Sequence, residues 1–503
     1  MEKEDAIDEK FTQAQLEQHL WRAADILRGS IDSSDYKHYI FGLLFFKRLS
    51  DVWQEEYEQA YATFKDEELA ADPDEHRFAI PEGAFWDDLA KQSTNIGEHL
   101  NNAFHKIEDA NLRLKDIFQD IDFNNKQRFP DSILQKLIQH FDKYRLRNSD
   151  VSADMLGNSY EYLIKKFADD SGKKGGEFYT PEYVVKLMVK MLAPKEGMSV
   201  YDPTCGSGGM LIQSYHALQE AGLNPKTLSL AGQEKNLNTW AICKMNMFLH
   251  DIDDAVIDRG DTLRNPRNLV SESSKGLKQF DRVIANPPFS LKEWGYDIWD
   301  KGDPYGRDIY GCPPKSYGDL AFVQHMIASL KDDGRMAVVL PHGVLFRGGA
   351  EGRIREGLLN QDLIEAVIGI APNLFYGAGI PACILLINKN KPADKTGKVM
   401  IINGAEEYKE GKAQNTLTEE NVARFVSTYE SWQDVERFAR LVLISEITTN
   451  DHNLNIARYV HTAEEEEPID VKAELSSLKD LIAKRDEAEN VMMKHLQGLG
   501  YDS

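Results

Sequence analysis

Ser199-Val200-Tyr201-Asp202-Pro203-Thr204-Cys205-Gly206-Ser207-Gly208-Gly209 reads as a short apolar strand that turns through glycines into a helical stretch, residues 210–221. Glycines in such a turn let the backbone approach a ligand and leave helix N-terminal amides open. Working outward, short β-branched or apolar runs alternate with helical stretches. The run 228–231 precedes helical 236–250, and 282–285 precedes helical 320–330; the runs 336–340, 363–368 and 383–387 follow. This alternation predicts an α/β domain whose mostly parallel sheet is covered on both faces and binds ligands at the carboxyl ends of its strands.

The glycine loop lacks the pyrophosphate fingerprint, because the third glycine position holds Leu211, and it lacks the Walker lysine. A smaller cofactor without a pyrophosphate is therefore favoured over NAD or ATP. Glu234, at the end of the next strand, is an acid placed to accept two ribose hydroxyls. Asp261, in Gly260-Asp261-Thr262-Leu263, is placed at the third strand to bind an adenine amino group.

Asn286-Pro287-Pro288-Phe289 directly follows the apolar Val283-Ile284-Ala285. Two prolines cannot continue a central strand, and they stiffen the turn. An Asn side-chain oxygen beside a rigid proline carbonyl gives two acceptors converging on one NH₂ group. Phe289 adds a flat face for a planar ring. An exocyclic amino nitrogen is a poor nucleophile while its lone pair is delocalised into the ring. Acceptors holding its hydrogens favour a pyramidal nitrogen, chiefly in the transition state. Upstream, Gly176-Glu177-Phe178-Tyr179-Thr180-Pro181 places Thr180 as a helix N-cap ahead of Pro181.

The 503 residues carry a formal net charge of −23. That balance argues against a protein that coats nucleic acid by bulk charge, though not against a local basic cleft or a basic partner. Cys205, Cys243, Cys312 and Cys383 form no Cys-x-x-Cys pair, so neither a zinc site nor a disulfide framework is expected. Met1-Glu2-Lys3-Glu4-Asp5 is unlike a signal peptide, and the apolar run 39–46 is too short to span a bilayer. A soluble, cytoplasmic protein is expected.

Residues 1–150 read as a helical domain, with Leu16, Leu20, Ala23, Ala24 and Leu27 at helical spacing. Residues 151–420 hold the α/β pattern and 421–503 form a tail. There, Glu464 to Glu467 reads as an acidic hinge, with Pro468 at a helix start. Val471, Leu475, Leu478, Ile482, Met492, Leu496 and Leu499 then trace a coiled-coil-like stripe, which either packs on its own chain or docks a partner. The loop-like stretch 290–318, with Trp294, Tyr296, Trp299, Tyr305, Tyr310 and Tyr317, reads either as an ordinary surface loop or as a mobile cover that orders on DNA.

The Asp202 to Gly209 loop together with Asn286 to Phe289 resembles the amino-group S-adenosylmethionine-dependent DNA methyltransferases. The 176–181 motif, Leu340-Pro341-His342-Gly343-Val344-Leu345-Phe346-Arg347-Gly348-Gly349 and Asn453-Leu454-Asn455-Ile456-Ala457-Arg458-Tyr459 narrow the resemblance to the modification subunit of bacterial type I restriction–modification systems. It covers nearly the whole chain. It implies a Rossmann-like class I methyltransferase domain with a seven-stranded, mostly parallel sheet, an N-terminal helical domain and a C-terminal helical tail.

By the same resemblance, the reaction is N6-adenine methylation of an extruded base in double-stranded DNA. Asn286 and the Pro287 carbonyl, followed by Pro288, would hold the amino group, and Phe289 would stack on the base. Gly176, Glu177, Phe178, Tyr179, Thr180 and Pro181, with Asp202, Thr204, Gly206, Ser207 and Gly208, would hold the methionine end of S-adenosylmethionine, Glu234 its ribose and Asp261 its adenine. No metal is implied. A separate specificity subunit flanked by two modification subunits, and a restriction subunit, are the implied partners. Cys205 departs from the small alanine that is frequent at its position. The rival readings are methylation of protein glutamine or of guanine N2 in RNA, and a non-catalytic scaffold of the same fold.

Overall fold

The computed structural model describes residues 12–28, 36–171, 179–271, 274–376, 379–412, 414–461 and 471–501. Gly176, Glu177 and Phe178 of the upstream motif, the acidic hinge and Pro468 lie outside them. The chain divides into two compact units, Met1–Val460 and His461–Ser503.

The first unit begins as expected with helices, among them Gln13–Leu27, Tyr36–Phe64, Ile96–Ala110 and Asp131–Phe141. Thr12 and Gln15 close a capping box that starts the first. Leu16, Leu20, Ala23, Ala24 and Leu27, the residues at helical spacing, are all buried. Helix Ala153–Ser171 joins this body, since Leu156, Tyr160, Leu163 and Phe167 share its core. So do Ile242, Met245 and Phe248 of helix Leu237–Leu249, so the helical body and the sheet layer are packed into one core.

The sheet comprises β1 (Ser199–Asp202), β2 (Ser229–Glu234), β3 (Val256–Arg259), β4 (Phe280–Ala285), β5 (Leu330–Pro341), β6 (Ile364–Ile370), β7 (Ala382–Asn388), β8 (Lys398–Gly404) and β9 (Ala439–Leu443). Among the described residues it therefore has nine strands, not seven, in the order β3-β2-β1-β4-β5-β7-β6-β8-β9. β3, β2, β1, β4 and β5 run parallel; β7 is antiparallel to both β5 and β6, and β9 is antiparallel to β8. The two strands added to the expected number, β8 and β9, extend the sheet beyond β6. β9 pairs Ala439 to Ile402 and Leu443 to Lys398, and Val422, Phe425 and Phe438 join the core, so residues 421–460, expected to be tail, complete the sheet domain.

Side chains alternate faces along each strand, which is the period-two rule of a pleated sheet. Val200, Ile284, Ala337 and Val339 face the core built with helices Glu182–Leu192, Gly209–Glu220 and Leu237–Leu249. Tyr201, Val283, Met336 and Val338 face that built with helices Asp319–Ala328 and Ala350–Asn360. The strand order turns between β1 and β4, which opens a crevice at their carboxyl ends.

In the second unit, helix Val471–Gly498 runs for 28 residues. Leu475, Leu478, Ile482, Met492 and Leu499 of the expected stripe stand exposed. Among the described residues no helix is long and apolar enough to cross a membrane.

Candidate active site

Four parallel strands deliver the site. β1 ends in Asp202, β2 ends in Glu234, the turn after β3 carries Asp261, and Asn286 follows β4. Two adjoining cavities lie along this edge. One, of about 680 Å³, is lined by Tyr179, Thr180, Asp202, Thr204, Gly206 and Ser207 among others. The other, of about 610 Å³, is lined by Glu234, Asp261 and all four residues of Asn286 to Phe289. Thr204 and Asn286 line both, so the two cavities meet at the motif that was expected to hold the reacting nitrogen. Pro181 and Gly208 line neither.

Thr180 departs from its expected role. The residue flanking helix Glu182–Leu192 is Pro181, and no side chain caps that end. Thr180 Oγ1 instead accepts the Asn286 Nδ2–H at 3.0 Å. This fixes which way the amide faces. Its Oδ1 is buried without a hydrogen-bond partner, an arrangement that costs free energy unless a ligand donor completes it. Pro287 is buried and Pro288 exposed. Phe289 meets Phe375 edge-on, with ring centroids 5.7 Å apart. Behind it, Ser290 takes a left-handed φ of 54° and donates its N–H to Asp319 at 2.8 Å.

The glycine loop is held from several sides. Gly206 N–H donates to Glu234 Oε2 at 3.0 Å and Asn236 N–H to Glu234 Oε1 at 2.8 Å. The Asn246 side chain donates to the Ser207 carbonyl at 3.0 Å. Gly208, at φ 88°, is the left-handed residue from which helix Gly209–Glu220 starts, without a side-chain cap. Asp202 is 2 % exposed, and its Oδ1 accepts the Thr204 N–H at 2.9 Å. Burial pushes its pKa up to about 8, the Thr204 N–H works against this, and the Glu234 carboxylate adds to it.

Asp261 Oδ1 accepts the N–H groups of Leu263 and Arg264, both at 3.1 Å, and Lys235 pairs with Oδ2 at 2.9 Å. The cysteines, distant in sequence, are close in space: Cys205 and Cys243 sulfurs lie 3.9 Å apart. The stretch 290–318 is anchored rather than a loose cover, because Trp294 and Trp299 are buried with Leu263, Ala321 and Phe322. Asn246, Asp319 and Phe375 shape the site without any local sequence signal, since each acts through a contact that only packing creates.

Carboxylates outnumber cations along this edge, and the buried Asp202 is ready to meet a positive charge. That donor set suits a cationic nucleoside with free hydroxyls, and it repels a pyrophosphate.

The family described as N-6 DNA Methylase matches residues 151–468, and the HsdM N-terminal domain matches residues 16–141. The MjaVII type I restriction enzyme methylase subunit of Methanocaldococcus jannaschii is 34 % identical over 97 % of this chain and 85 % of its own. The chain belongs to the N-6 DNA methylases, among the type I restriction enzyme methylase subunits. The HindI methylase subunit of Haemophilus influenzae is 33 % identical over 81 % of this chain and 94 % of its own. The crystal structure of a type I restriction–modification methyltransferase subunit from Streptococcus thermophilus matches with a TM-score of 0.78 at 34 % identity, covering 90 % of this chain and all of that one.

As a member of this family, the methylase subunit is an adenine-specific DNA methyltransferase that uses S-adenosylmethionine. It modifies N6 of adenine in DNA.

Proposed function

We propose that the junction of the two cavities is where methyl transfer occurs, with Asn286 as the residue that presents the target nitrogen. The observation that carries this is the buried, unpartnered Asn286 Oδ1 on an amide tethered through Nδ2 to Thr180. Asn286 Oδ1 and the Pro287 carbonyl accept the two hydrogens of the flipped adenine's amino group. This withdraws the nitrogen lone pair from the ring. Phe289, backed by Phe375, stacks on the base.

S-adenosylmethionine, when bound, supplies a methyl group on a positively charged sulfur. Tyr179, Thr180, Asp202, Thr204 and the Gly206-Ser207-Gly208 turn hold its amino-acid end, with Asp202 answering the positive charge. Gly176, Glu177, Phe178 and Pro181 belong to the same proposed set. Glu234 takes the ribose hydroxyls and Asp261 the adenine.

The same reading gives the helical residues 1–150, the sheet domain from 151 and the C-terminal helix separate tasks. The helix Val471–Gly498 docks the specificity subunit through its exposed apolar stripe. Two modification subunits flank one specificity subunit, and a restriction subunit joins the full complex. The net charge of −23 leaves much of the DNA attraction to those partners. The cytoplasm, where the DNA substrate lies, is the proposed compartment.

The test is transfer from labelled S-adenosylmethionine to DNA, by the chain alone and with its specificity subunit. N6-methyladenine is expected only with the partner. Asn286→Ala should lower turnover by about 10²–10³-fold while leaving cofactor binding nearly intact. Near-wild-type turnover in that variant overturns the assignment.

A further inference from the structure

Arg307 lies outside every motif that identifies the family, yet it is 1 % exposed and lies beside the cofactor edge. Each of its five guanidinium N–H groups has an acceptor. Nε donates to Asp303 Oδ2 at 2.8 Å. One terminal nitrogen reaches the Thr262 carbonyl at 2.9 Å and His325 Nδ1 at 3.3 Å. The other reaches the Leu263 carbonyl at 2.6 Å and Asp303 Oδ1 at 2.7 Å. The Arg307–Asp303 side chains have no exposure at all. Burying such a pair is costly unless every proton and lone pair is used, and here the arginine's full fork is occupied.

The two carbonyls are significant because of what lies at the other end of their peptide groups. The Thr262 carbonyl shares a peptide with the Leu263 N–H, and the Leu263 carbonyl shares one with the Arg264 N–H. Those two N–H groups are the ones that Asp261 Oδ1 accepts. Arg307 thus holds the carbonyl ends of two peptide planes whose amide ends hold the Asp261 carboxylate.

The arrangement is braced further. Thr262 Oγ1 donates to the Pro203 carbonyl at 2.6 Å, in the glycine-loop motif. His325, whose protonation burial and the Arg307 cation both oppose, accepts from Arg307 and lies 3.2 Å from the Tyr201 hydroxyl on β1.

We propose that Arg307 is a positioning residue that orients the Asp261 carboxylate, through two peptide groups, for recognition of the cofactor's adenine amino group. This rests on the reading of Asp261 as the adenine acid. It gives the anchored 290–318 stretch a task, because the loop that follows the target-amine motif also sets the purine selectivity of the cofactor pocket.

The test compares two ligands on the full chain, S-adenosylhomocysteine and its analogue with a 6-oxo group in place of the adenine amino group. Dissociation constants are measured by titration calorimetry for the wild type, Asp261→Asn, Arg307→Lys and Asp303→Asn. Arg307→Lys replaces the planar fork, whose two nitrogens each hold one carbonyl, with a single ammonium, and Asp303→Asn keeps the arginine but loosens its anchor. The ratio of the two constants is the readout, since a merely structural loss weakens both ligands alike.

The expected result is a wild-type preference for the amino form that drops by about tenfold in Asp261→Asn and in both loop variants. A collapsed ratio in Asp261→Asn with a wild-type ratio in Arg307→Lys and Asp303→Asn overturns the positioning role. An unchanged ratio in Asp261→Asn overturns the Asp261 assignment, and the proposal with it. Should Arg307→Lys fail to fold, Asp303→Asn decides alone.

Discussion

Asn286 and Thr180 stand 106 residues apart in sequence and are joined by a 3.0 Å hydrogen bond from the Asn286 Nδ2–H to the Thr180 hydroxyl. That bond uses the donor end of the amide, while its acceptor end is buried without a partner. Thr180→Val removes the tether while nearly preserving shape. Turnover at saturating cofactor should fall about tenfold or more, with little change in melting temperature. Thr180→Ser keeps the hydroxyl and should stay close to wild type. Full activity in Thr180→Val would show that the amide needs no such restraint.

Asp202 makes the cofactor-free chain sensitive to pH in a defined direction. Its carboxyl moves from an ordinary 3.8 to about 8 in the folded chain, mainly through burial. Between those values the folded chain holds a proton that the unfolded chain has released, so this group's contribution to stability falls as pH rises through that window. A cationic ligand reverses the preference, so cofactor affinity should rise with pH up to about 8, with a proton released on binding. Calorimetry in buffers of different ionisation enthalpy counts that proton. Asp202→Asn should abolish both dependences, and a pH-independent affinity in the wild type would remove Asp202 from the site.

Gly208 tests the loop backbone. At φ 88° an added side chain is strained, and its Cβ would lie 2.6 Å from Met247 Cε and 2.9 Å from Cys243 Sγ. Gly208→Ala should cost about 1–3 kcal/mol of stability and weaken cofactor binding as well. An unchanged melting curve would mean that the turn relaxes freely.

Phe289 separates base stacking from amine chemistry. Phe289→Ala should lose about 1–3 kcal/mol of base contact, read as a raised KM for DNA with cofactor affinity unchanged. Phe289→Trp should retain most of it. An unaltered KM in Phe289→Ala would place the flipped base elsewhere.

The C-terminal helix is a test of assembly. Ending the chain at His461 should leave the melting temperature of the unit Met1–Val460 within about 2 °C, because that unit holds its own cores. Co-purification with the specificity subunit should be lost. Retained assembly would assign the docking surface to another part of the chain.

The core strands were legible because β1, β2, β4, β5, β6 and β7 each carry a short apolar run. β8 carries an apolar run of the same kind, Val399-Met400-Ile401-Ile402, and was as readable as they are, whereas β9 is an edge strand with a half-polar face. Such strands are specified by the neighbour they pair with more than by their own pattern. The anchoring of 290–318 was hidden for a similar reason. Trp294 and Trp299 read equally well as exposed aromatics until Leu263 and Phe322 are known to lie against them.

The sequence alone determined the chemistry. A strand, a glycine turn, two acids at successive strand ends and Asn-Pro-Pro-Phe are local patterns, and their functional groups are set by residue type and order. Tertiary structure decided which partner each group takes. Thr180 turned from helix cap to amide anchor, Cys205 met Cys243, and Arg307 reached the peptides beside Asp261. Those pairings join residues dozens of positions apart, and their free energy comes from burial and hydrogen-bond completion, which no local periodicity encodes.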